Sequence, residues 1–279
     1  MKRIKKMKLK IGISPCPNDT YIFEAIFKKL VSLEEIEFEF VFHDVQKLNE
    51  LALENKLDII KVSYAHYFSI MQDYQVLNSG GAMGFGVGPL LISQKKYLPN
   101  DNLSDLKIAI PGKQTTAHFL LNFFQPHFKN KIEYSFENIE QAILNQEVDA
   151  GVIIHENRFT YLEKGLNKII DLGEYWESQT QLPIPLGCIA IKNTLDFELK
   201  KSINYLIKKS IDIAHKNKSE SSDFIRCHAQ EMRDDVMKSH IQLYVNDFSK
   251  DIGPIGKAAV SKLYEAITHL TLTDSIYVI

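Results

Sequence analysis

Short apolar segments alternate with segments of helical spacing along the first two thirds of the chain. Residues 36–43 carry an apolar side chain at every second position, as a half-buried strand does. Residues 45–54 instead show the spacing of an amphipathic helix. Similar pairs recur up to residue 192, and the remainder of the chain has a helical pattern. This alternation predicts an α/β fold with a largely parallel sheet.

The strand and helix pairs divide into two sets. Residues 1–93 hold about three pairs, residues 94–192 hold a similar set, and the helical residues 193–279 must pack on one of them. A chain that builds a second lobe and returns to the first needs two crossing strands, and PLLIS (89–93) and GCIAIK (187–192) are natural candidates. We therefore expect a two-lobed, periplasmic-binding-protein-like fold of type II with a central cleft. Lobe I would comprise residues 1–93 and 193–279, and lobe II residues 94–192.

Composition and charge limit the class of function. Of the 279 residues, 45% are hydrophobic and 24% charged, as in an average globular protein, and the formal net charge is −2. Nucleic-acid binding normally requires a basic excess, so a nucleic-acid partner is not expected. Lys8 and Lys10 interrupt the apolar stretch that a secretory signal needs, and no run approaches the roughly 18 apolar residues of a membrane span.

Neither a metal centre nor a cofactor site is evident from residue spacing. Cys16, Cys188 and Cys227 lie far apart and show no CxxC or Cys/His spacing, so we expect a reduced, cytoplasmic protein without structural zinc. The glycines of GFGVG (84–88) are spaced GxGxG and lead into a strand, whereas a dinucleotide fingerprint needs GxGxxG before a helix. This glycine segment is interpreted as a connection between lobes.

Four turns are predicted at the carboxyl ends of strands, the edge at which open α/β sheets bind ligands. The first, residues 14–20, contains Asn18, a candidate for reaching a ligand, and Asp19, interpreted as a helix cap. The second, residues 61–64, places Ser63 between a strand end and a helix start.

The third turn, residues 111–117, places Thr115 and Thr116 at the start of a helix. Free N–H groups and the positive end of the dipole make such a helix start a carboxylate or phosphate site. Hydroxyl residues are also common as simple caps. With the turns of the other lobe opposite, the predicted cleft suits a small polar or anionic molecule.

The fourth turn follows the apolar segment 148–154 and contains His155, Glu156 and Arg158. An imidazole at this edge is suited to act as a general base near neutral pH, although a hydrogen-bonded loop histidine is the simpler interpretation of this segment alone. Glu156 would orient it only if neighbouring side chains shared a face, and Arg158 is interpreted as a structural ion-pair partner. Other histidines in predicted helices, and a cysteine between two prolines, are interpreted as packed, solvated or structural: His66, His118, His240 and Cys16.

Five longer motifs together resemble one family of enzymes. They are SPCPNDTYIF (14–23), KVSYAHY (61–67), SGGAMGFGVGPL (79–90), PGKQTTAHFLL (111–121) and GVIIHENRFTY (151–161). With DLGEYWE (171–177) and LPIPLG (182–187), the similarity spans most of the chain. The chain resembles the 1,4-dihydroxy-6-naphthoate synthases of the futalosine route to menaquinone.

The resemblance implies a two-lobed fold and a carbon–carbon lyase that converts cyclic dehypoxanthinyl futalosine to 1,4-dihydroxy-6-naphthoate. It implies that His155 is the proton acceptor. It also implies two substrate-binding turns, formed by Lys61, Val62 and Ser63 and by Thr116 and Ala117. Asn18 and Thr115 are added to the binding residues from their positions in the predicted turns.

Two alternatives use the same cleft. One is a solute-binding protein for a small carboxylate, which would need no base at the cleft edge. The other is an enzyme similar to the chorismate dehydratase of the same pathway. A small-molecule carboxylate is the expected partner, no metal or organic cofactor is expected, and a homodimer is left open.

Overall fold

The computed structural model describes residues 6–218, 222–229, 233–273 and 275–278. Its strands are β1 (Met7–Ile13), β2 (Ile36–Phe42), β3 (Ile59–Ser63), β4 (Tyr74–Val76), β5 (Ala82–Gly84), β6 (Leu90–Ser93), β7 (Lys107–Ile110), β8 (Asn130–Glu133), β9 (Ala150–Ile153), β10 (Asn167–Asp171) and β11 (Ile184–Lys192). Its helices are α1 (Pro17–Phe27), α2 (Val45–Leu53), α3 (Tyr64–Tyr67), α4 (Thr116–Phe124), α5 (Ile139–Leu144), α6 (Asn157–Thr160), α7 (Leu172–Thr180), α8 (Phe197–Asn217), α9 (Asp223–Arg226), α10 (Asp234–Tyr244), α11 (Asp247–Lys250) and α12 (Gly253–Thr268).

The strands form two sheets. The first has the order β2-β1-β3-β11-β4, with β5 also paired to β11, and the second has the order β10-β6-β9-β7-β8. Strand β1 is parallel to β2 and β3, and β7 is parallel to β8 and β9. The strands that return between the sheets, β6 and β11, pair antiparallel with their neighbours. The expected α/β fold is confirmed, but the sheets are mixed rather than largely parallel: the parallel strands β2-β1-β3 and β9-β7-β8 lie toward one edge of each sheet.

Strand pairing shifts the division between lobes from the one expected from the sequence. Residues 89–93 were assigned to lobe I, but β6 pairs in the second sheet; residues 187–192 were assigned to lobe II, but β11 pairs in the first. Both crossings therefore occur before the apolar strand rather than after it. An apolar run shows that a strand is buried but does not show which sheet supplies its partners. Lobe I is here the lobe of the first sheet, and lobe II the lobe of the second.

Several element bounds also differ from the sequence prediction. Helix α1 begins at Pro17, with Cys16 as its N-cap, because proline already has a helical φ and lacks the N–H that the first turn leaves unpaired. Strands β4, β5 and β10 were not predicted, since runs of three to five residues show too little periodicity. Helix α7 was not predicted either, although Asp171 caps it by accepting from the N–H groups of Gly173 and Glu174.

The helices beyond β11 pack mainly on lobe I. Helix α8 lies against α1, and the Ser210 hydroxyl donates to the Ile22 carbonyl at 2.5 Å. Near the C-terminus, Tyr277 forms a parallel bridge to Val76 of β4. Helix α8 has 21 residues but is rich in lysine, and within the described residues no helix combines the length and apolar character needed to cross a membrane.

Two glycines allow the crossing before β6 to touch lobe II closely. A Cβ added at Gly88 would lie 2.3 Å from the Cα of Gly173, in the first turn of α7. The contact joins two backbones, so no side chain can move aside to relieve it.

Gly88→Ala is therefore expected to lower the free energy of unfolding by about 1–3 kcal/mol, the usual cost of overpacking. Gly86→Asn is the control, because Gly86 faces open space with a φ of +67°, which asparagine tolerates. The control should change stability by less than about 0.5 kcal/mol in denaturant unfolding. Equal stability of the two variants would contradict the close approach.

Candidate active site

The four predicted turns meet in one cavity between the lobes. It has about 660 Å³ of empty space, a figure that includes the open solvent at its mouth. It is lined by Ser14, Asn18, Asp19, Val45, Lys61, Ser63, Ala82, Val87, Pro89, Thr115, Thr116, Ala117, Ile154, His155, Leu186, Gly187, His240 and Tyr244. Of the residues predicted to bind substrate, Val62 is the exception: its side chain lies in the hydrophobic core, because successive residues of a strand face opposite sides.

A buried ion pair joins the first two turns. Lys61 Nζ lies 2.6 Å from Asp19 Oδ1, and the side chains are 6% and 1% exposed. Asp19 also accepts from the backbone N–H and hydroxyl of Ser14 and from the Asn18 amide. The interpretation of Asp19 as a helix cap was wrong, since Cys16 occupies the N-cap position and the Asp19 carboxylate holds Lys61. The pair fixes an ammonium group at the cavity wall.

Ser63 is held by Asn49, a buried residue of α2. The Asn49 amide donates to Ser63 Oγ at 3.1 Å, and its oxygen accepts from the Ser63 backbone N–H at 3.0 Å. The same amide group donates to the Gln114 carbonyl in lobe II at 3.2 Å. Because Ser63 Oγ already accepts from Asn49, its hydroxyl hydrogen can be donated to a ligand in the cavity.

The third turn is tied across the cleft by Thr116. Its hydroxyl donates to the Leu186 carbonyl at 2.9 Å and accepts from the Ala65 N–H at 3.2 Å, and both partners belong to lobe I. Thr115 caps α4 by accepting from the His118 N–H. Both hydroxyl groups are therefore engaged within the protein. The first-turn N–H groups of Thr116 and Ala117 have no acceptor inside the helix, so the backbone is the part of this turn that suits an anion.

His155 follows β9 in a left-handed backbone conformation, with a φ of +57°. The residue lines the cavity, but its Nε2 is shielded and has no hydrogen-bond partner among the described residues. Burial lowers the pKa of the imidazole to about 4; the carboxylate of Asp19 opposes this shift and Lys61 adds to it. At neutral pH the ring is uncharged and free to accept a proton.

A second histidine lies beside His155, although its place in a predicted helix indicated only a packed or solvated residue. His240 of α10 is fully buried, lines the cavity and has its ring centre 6.2 Å from that of His155. Burial lowers its pKa well below the usual value, and the neighbouring His155 acts in the same direction. Eighty-five residues separate the two, so no local spacing could have indicated the pair.

Cys16 and Glu156 also lie close to His155. One ligand atom from each of Cys16, His155 and Glu156 falls within 4.8 Å of the others. Adjacent side chains were expected to face opposite ways, but the left-handed turn at His155 replaces the extended backbone and brings Glu156 to the same side. The sequence shows no metal-ligand spacing, but the fold brings these three residues together from positions that are distant in sequence. Burial raises the pKa of the Cys16 thiol well above its usual value, and Glu156 adds to the shift.

Arg158 forms an ion pair with Asp171, with 2.6 Å between Nη2 and Oδ2, and also donates to the Gly88 carbonyl. Its predicted structural role is confirmed. Arg158 therefore links the segment that crosses to lobe II before β6 to Asp171, the N-cap of α7.

Comparison with known proteins identifies the family of the chain. The chain matches the family model for menaquinone biosynthesis over residues 9–269. It is 41% identical over 256 residues to 1,4-dihydroxy-6-naphthoate synthase of Thermus thermophilus, with 92% of each chain covered. It is 35% identical over 260 residues to the enzyme of the same name from Streptomyces coelicolor, with 91% of each covered.

Solved structures support the same fold. A crystal structure of an Archaeoglobus fulgidus protein gives a TM-score of 0.87 at 31% identity, covering 93% of this chain and 96% of that one. A Candida albicans protein described as having the generic periplasmic-binding-protein fold gives 0.66 at 14% identity, covering 97% and 93%, and bears on the fold alone. The expected periplasmic-binding-protein-like fold is confirmed. The chain belongs to the menaquinone-biosynthesis family that includes the two 1,4-dihydroxy-6-naphthoate synthases.

Proposed function

We propose that this chain converts cyclic dehypoxanthinyl futalosine to 1,4-dihydroxy-6-naphthoate by carbon–carbon cleavage, with His155 as the general base. The observation that carries the proposal is a buried, uncharged imidazole in a cavity lined by residues of both lobes. The names of the two relatives supply the product. A solute-binding protein with the same cleft would bind this substrate without releasing the naphthoate, so product formation separates the two functions.

The proposed base acts while it is neutral. Its lone pair takes a proton from a substrate hydroxyl, and the oxygen–hydrogen bonding electrons form a carbonyl on the departing sugar-derived fragment. The electrons of the cleaved carbon–carbon bond move toward the carbonyl group adjacent to it on the part that becomes the naphthoate. The imidazolium that forms lies near Asp19, whose negative charge favours the protonated ring. Enclosure between the lobes strengthens this interaction, because water no longer screens it.

Negative charge that develops on the substrate needs hydrogen-bond donors already in place. Ser63 supplies a hydroxyl whose oxygen is oriented by Asn49, and Lys61 supplies a fixed positive charge on the same wall. These groups require no rearrangement as the reaction proceeds, because each is held by a buried partner. Ser63 and Lys61 are therefore the groups proposed to stabilise the negative charge.

The substrate carboxylate is assigned to the start of α4. The N–H groups of Thr116 and Ala117 and the positive end of the helix dipole favour an anion there. The Thr116 hydroxyl has a different role in this proposal, since its bonds to Ala65 and Leu186 keep the helix start against lobe I.

His155→Ala is expected to lower kcat/KM by roughly 10²–10⁴-fold, the usual contribution of general acid–base catalysis. Turnover is followed as naphthoate formed from the cyclic futalosine derivative, and circular dichroism reports the fold. His127→Ala serves as the control, because His127 is exposed and lies outside the cavity lining. A His155→Ala enzyme with near-normal turnover would refute the assignment.

The pH profile tests the environment of the base. A histidine with the ordinary pKa of about 6.5 would be about three-quarters protonated at pH 6 and largely inactive as a base. Burial lowers the pKa of His155 to about 4, so kcat/KM should be nearly equal at pH 6 and pH 7 and fall only as the pH approaches 4. The assay should contain a chelator, because a metal ion bound by Cys16, His155 and Glu156 would also change the titration of the imidazole.

Folding must be followed in the same samples. A pKa lowered in the folded state means that the unfolded chain binds more protons, so stability decreases as pH falls from about 6.5 toward 4. Charged and titratable groups around the ring include Asp19, Lys61, Asp44 and His240. A loss of kcat/KM centred near pH 6.5 in folded enzyme would contradict the buried, neutral base.

Two substitutions at Thr116 separate the backbone N–H from the hydroxyl. Thr116→Pro removes both and is compatible with the helix start, because Thr116 is the first residue of α4 and Thr115 is extended. Thr116→Ala removes only the hydroxyl. If the N–H binds a carboxylate, KM should be at least about tenfold higher for the proline variant than for the alanine variant, as expected for a lost hydrogen bond to a charged group. Equal KM values would place the carboxylate elsewhere.

A further inference from the structure

We propose that Cys16, His155 and Glu156 form a site for a zinc ion that spans the two lobes and occupies the catalytic imidazole. Zinc binding by these residues does not depend on the proposed function. The inhibition that should follow does rest on it, because it requires His155 to be the base.

The geometry is close to that of a three-ligand zinc site. The candidate ligand atoms lie within 4.8 Å of one another. Zinc binds sulfur at about 2.3 Å and nitrogen or oxygen at about 2.0–2.2 Å, so bound ligands stand roughly 3.5 Å apart. Small side-chain rotations would close the difference. Cys16 is the N-cap of α1 in lobe I, whereas His155 and Glu156 follow β9 in lobe II, so the ion would link the lobes.

The chemistry of the ligands selects the metal. A thiolate, an imidazole and a carboxylate suit zinc and similar transition metals rather than magnesium or calcium, which prefer oxygen ligands. Binding displaces the thiol proton of Cys16 to solvent and involves no change of oxidation state. A thiolate and a carboxylate together neutralise the charge of Zn²⁺, which favours the ion in a buried setting.

A second observation at the same place points to a ligand. The Nε2 of His155 is buried and has no hydrogen-bond partner within the described residues, and burying such a polar atom unsatisfied is costly. Glu156 and Cys16 are each 4% exposed, so little of either side chain faces bulk solvent. With three protein ligands, the fourth position would be left to water or to a substrate atom.

The test is zinc titration of the full chain in competition with a chromophoric chelator. One ion per chain should bind, and Cys16→Ser and Glu156→Gln should each weaken binding by at least about tenfold. Cobalt as a probe should give the thiolate-to-metal absorption band in the wild type and lose it in Cys16→Ser. Circular dichroism establishes that each variant is folded. If Cys16→Ser does not fold, Glu156→Gln still tests the site, because glutamine has nearly the same shape as glutamate.

Cys227→Ala is the matched control, because Cys227 is exposed, with its Sγ 3.1 Å from His228 Nδ1, and offers a competing surface site. It should bind zinc as the wild type does. The proposal is overturned if zinc fails to bind, if Cys16→Ser and Glu156→Gln bind as tightly as the wild type, or if only Cys227→Ala loses the ion.

Activity provides a separate readout. Zinc should inhibit naphthoate formation by the wild type, a chelator should restore it, and Cys16→Ser should resist the inhibition. Stoichiometric zinc binding at this site without inhibition would overturn the claim that the ion occupies the base. Absence of naphthoate formation in zinc-free enzyme would contradict the proposed function and leave the binding result intact.

Discussion

The hydroxyl of Thr116 is the contact on which the site depends most. It bonds to a backbone N–H in α3 and to a backbone carbonyl in β11, so a single side chain joins the start of α4 to two elements of lobe I. The amide of Asn49 adds a parallel link to Gln114 and at the same time orients Ser63. Asn49 therefore both links the lobes and positions the hydroxyl of Ser63.

Closure also sets the chemistry of the groups inside. Removal of water lowers the pKa of His155 and His240 and raises that of the Cys16 thiol, so all three are uncharged at neutral pH. The buried charges that remain at the first two turns, Asp19 and Lys61, are paired with each other. Such a pair adds little net stability, because desolvation offsets the attraction, but it holds a fixed dipole at the wall of the cavity. The cavity thus contains two uncharged histidines beside a fixed ion pair.

Much of this arrangement could be predicted from the sequence because it follows from local rules. Turns rich in Ser, Thr and Asn after apolar strands indicate the carboxyl edge of a parallel sheet, and Ser63, Thr116 and His155 do meet there. The assignment of β6 and β11 to sheets could not be predicted, since it depends on which backbone lies alongside each strand. Residues that reach the cavity from helices distant in sequence could not be predicted for the same reason.

Three features were invisible for distinct physical reasons. His240 enters the cavity through the packing of α10, whose sequence resembles that of any amphipathic helix. Asp19 has the composition of a cap, but its neighbour in space, Lys61, is 42 residues away. Glu156 turns toward Cys16 only because His155 adopts a positive φ, which a histidine seldom does and which no pattern in the sequence announces.

On the proposed function, the substrate lies in the interlobe cavity with its reacting carbon beside His155 and its carboxylate at the start of α4. A crystal structure of His155→Asn with the cyclic futalosine derivative bound is the most direct test of this placement. We expect a carboxylate oxygen within hydrogen-bond distance of the Thr116 and Ala117 N–H groups, and the carbonyl side facing Ser63 and Lys61. Substrate bound outside this cavity, or with its carboxylate pointing away from α4, would contradict it.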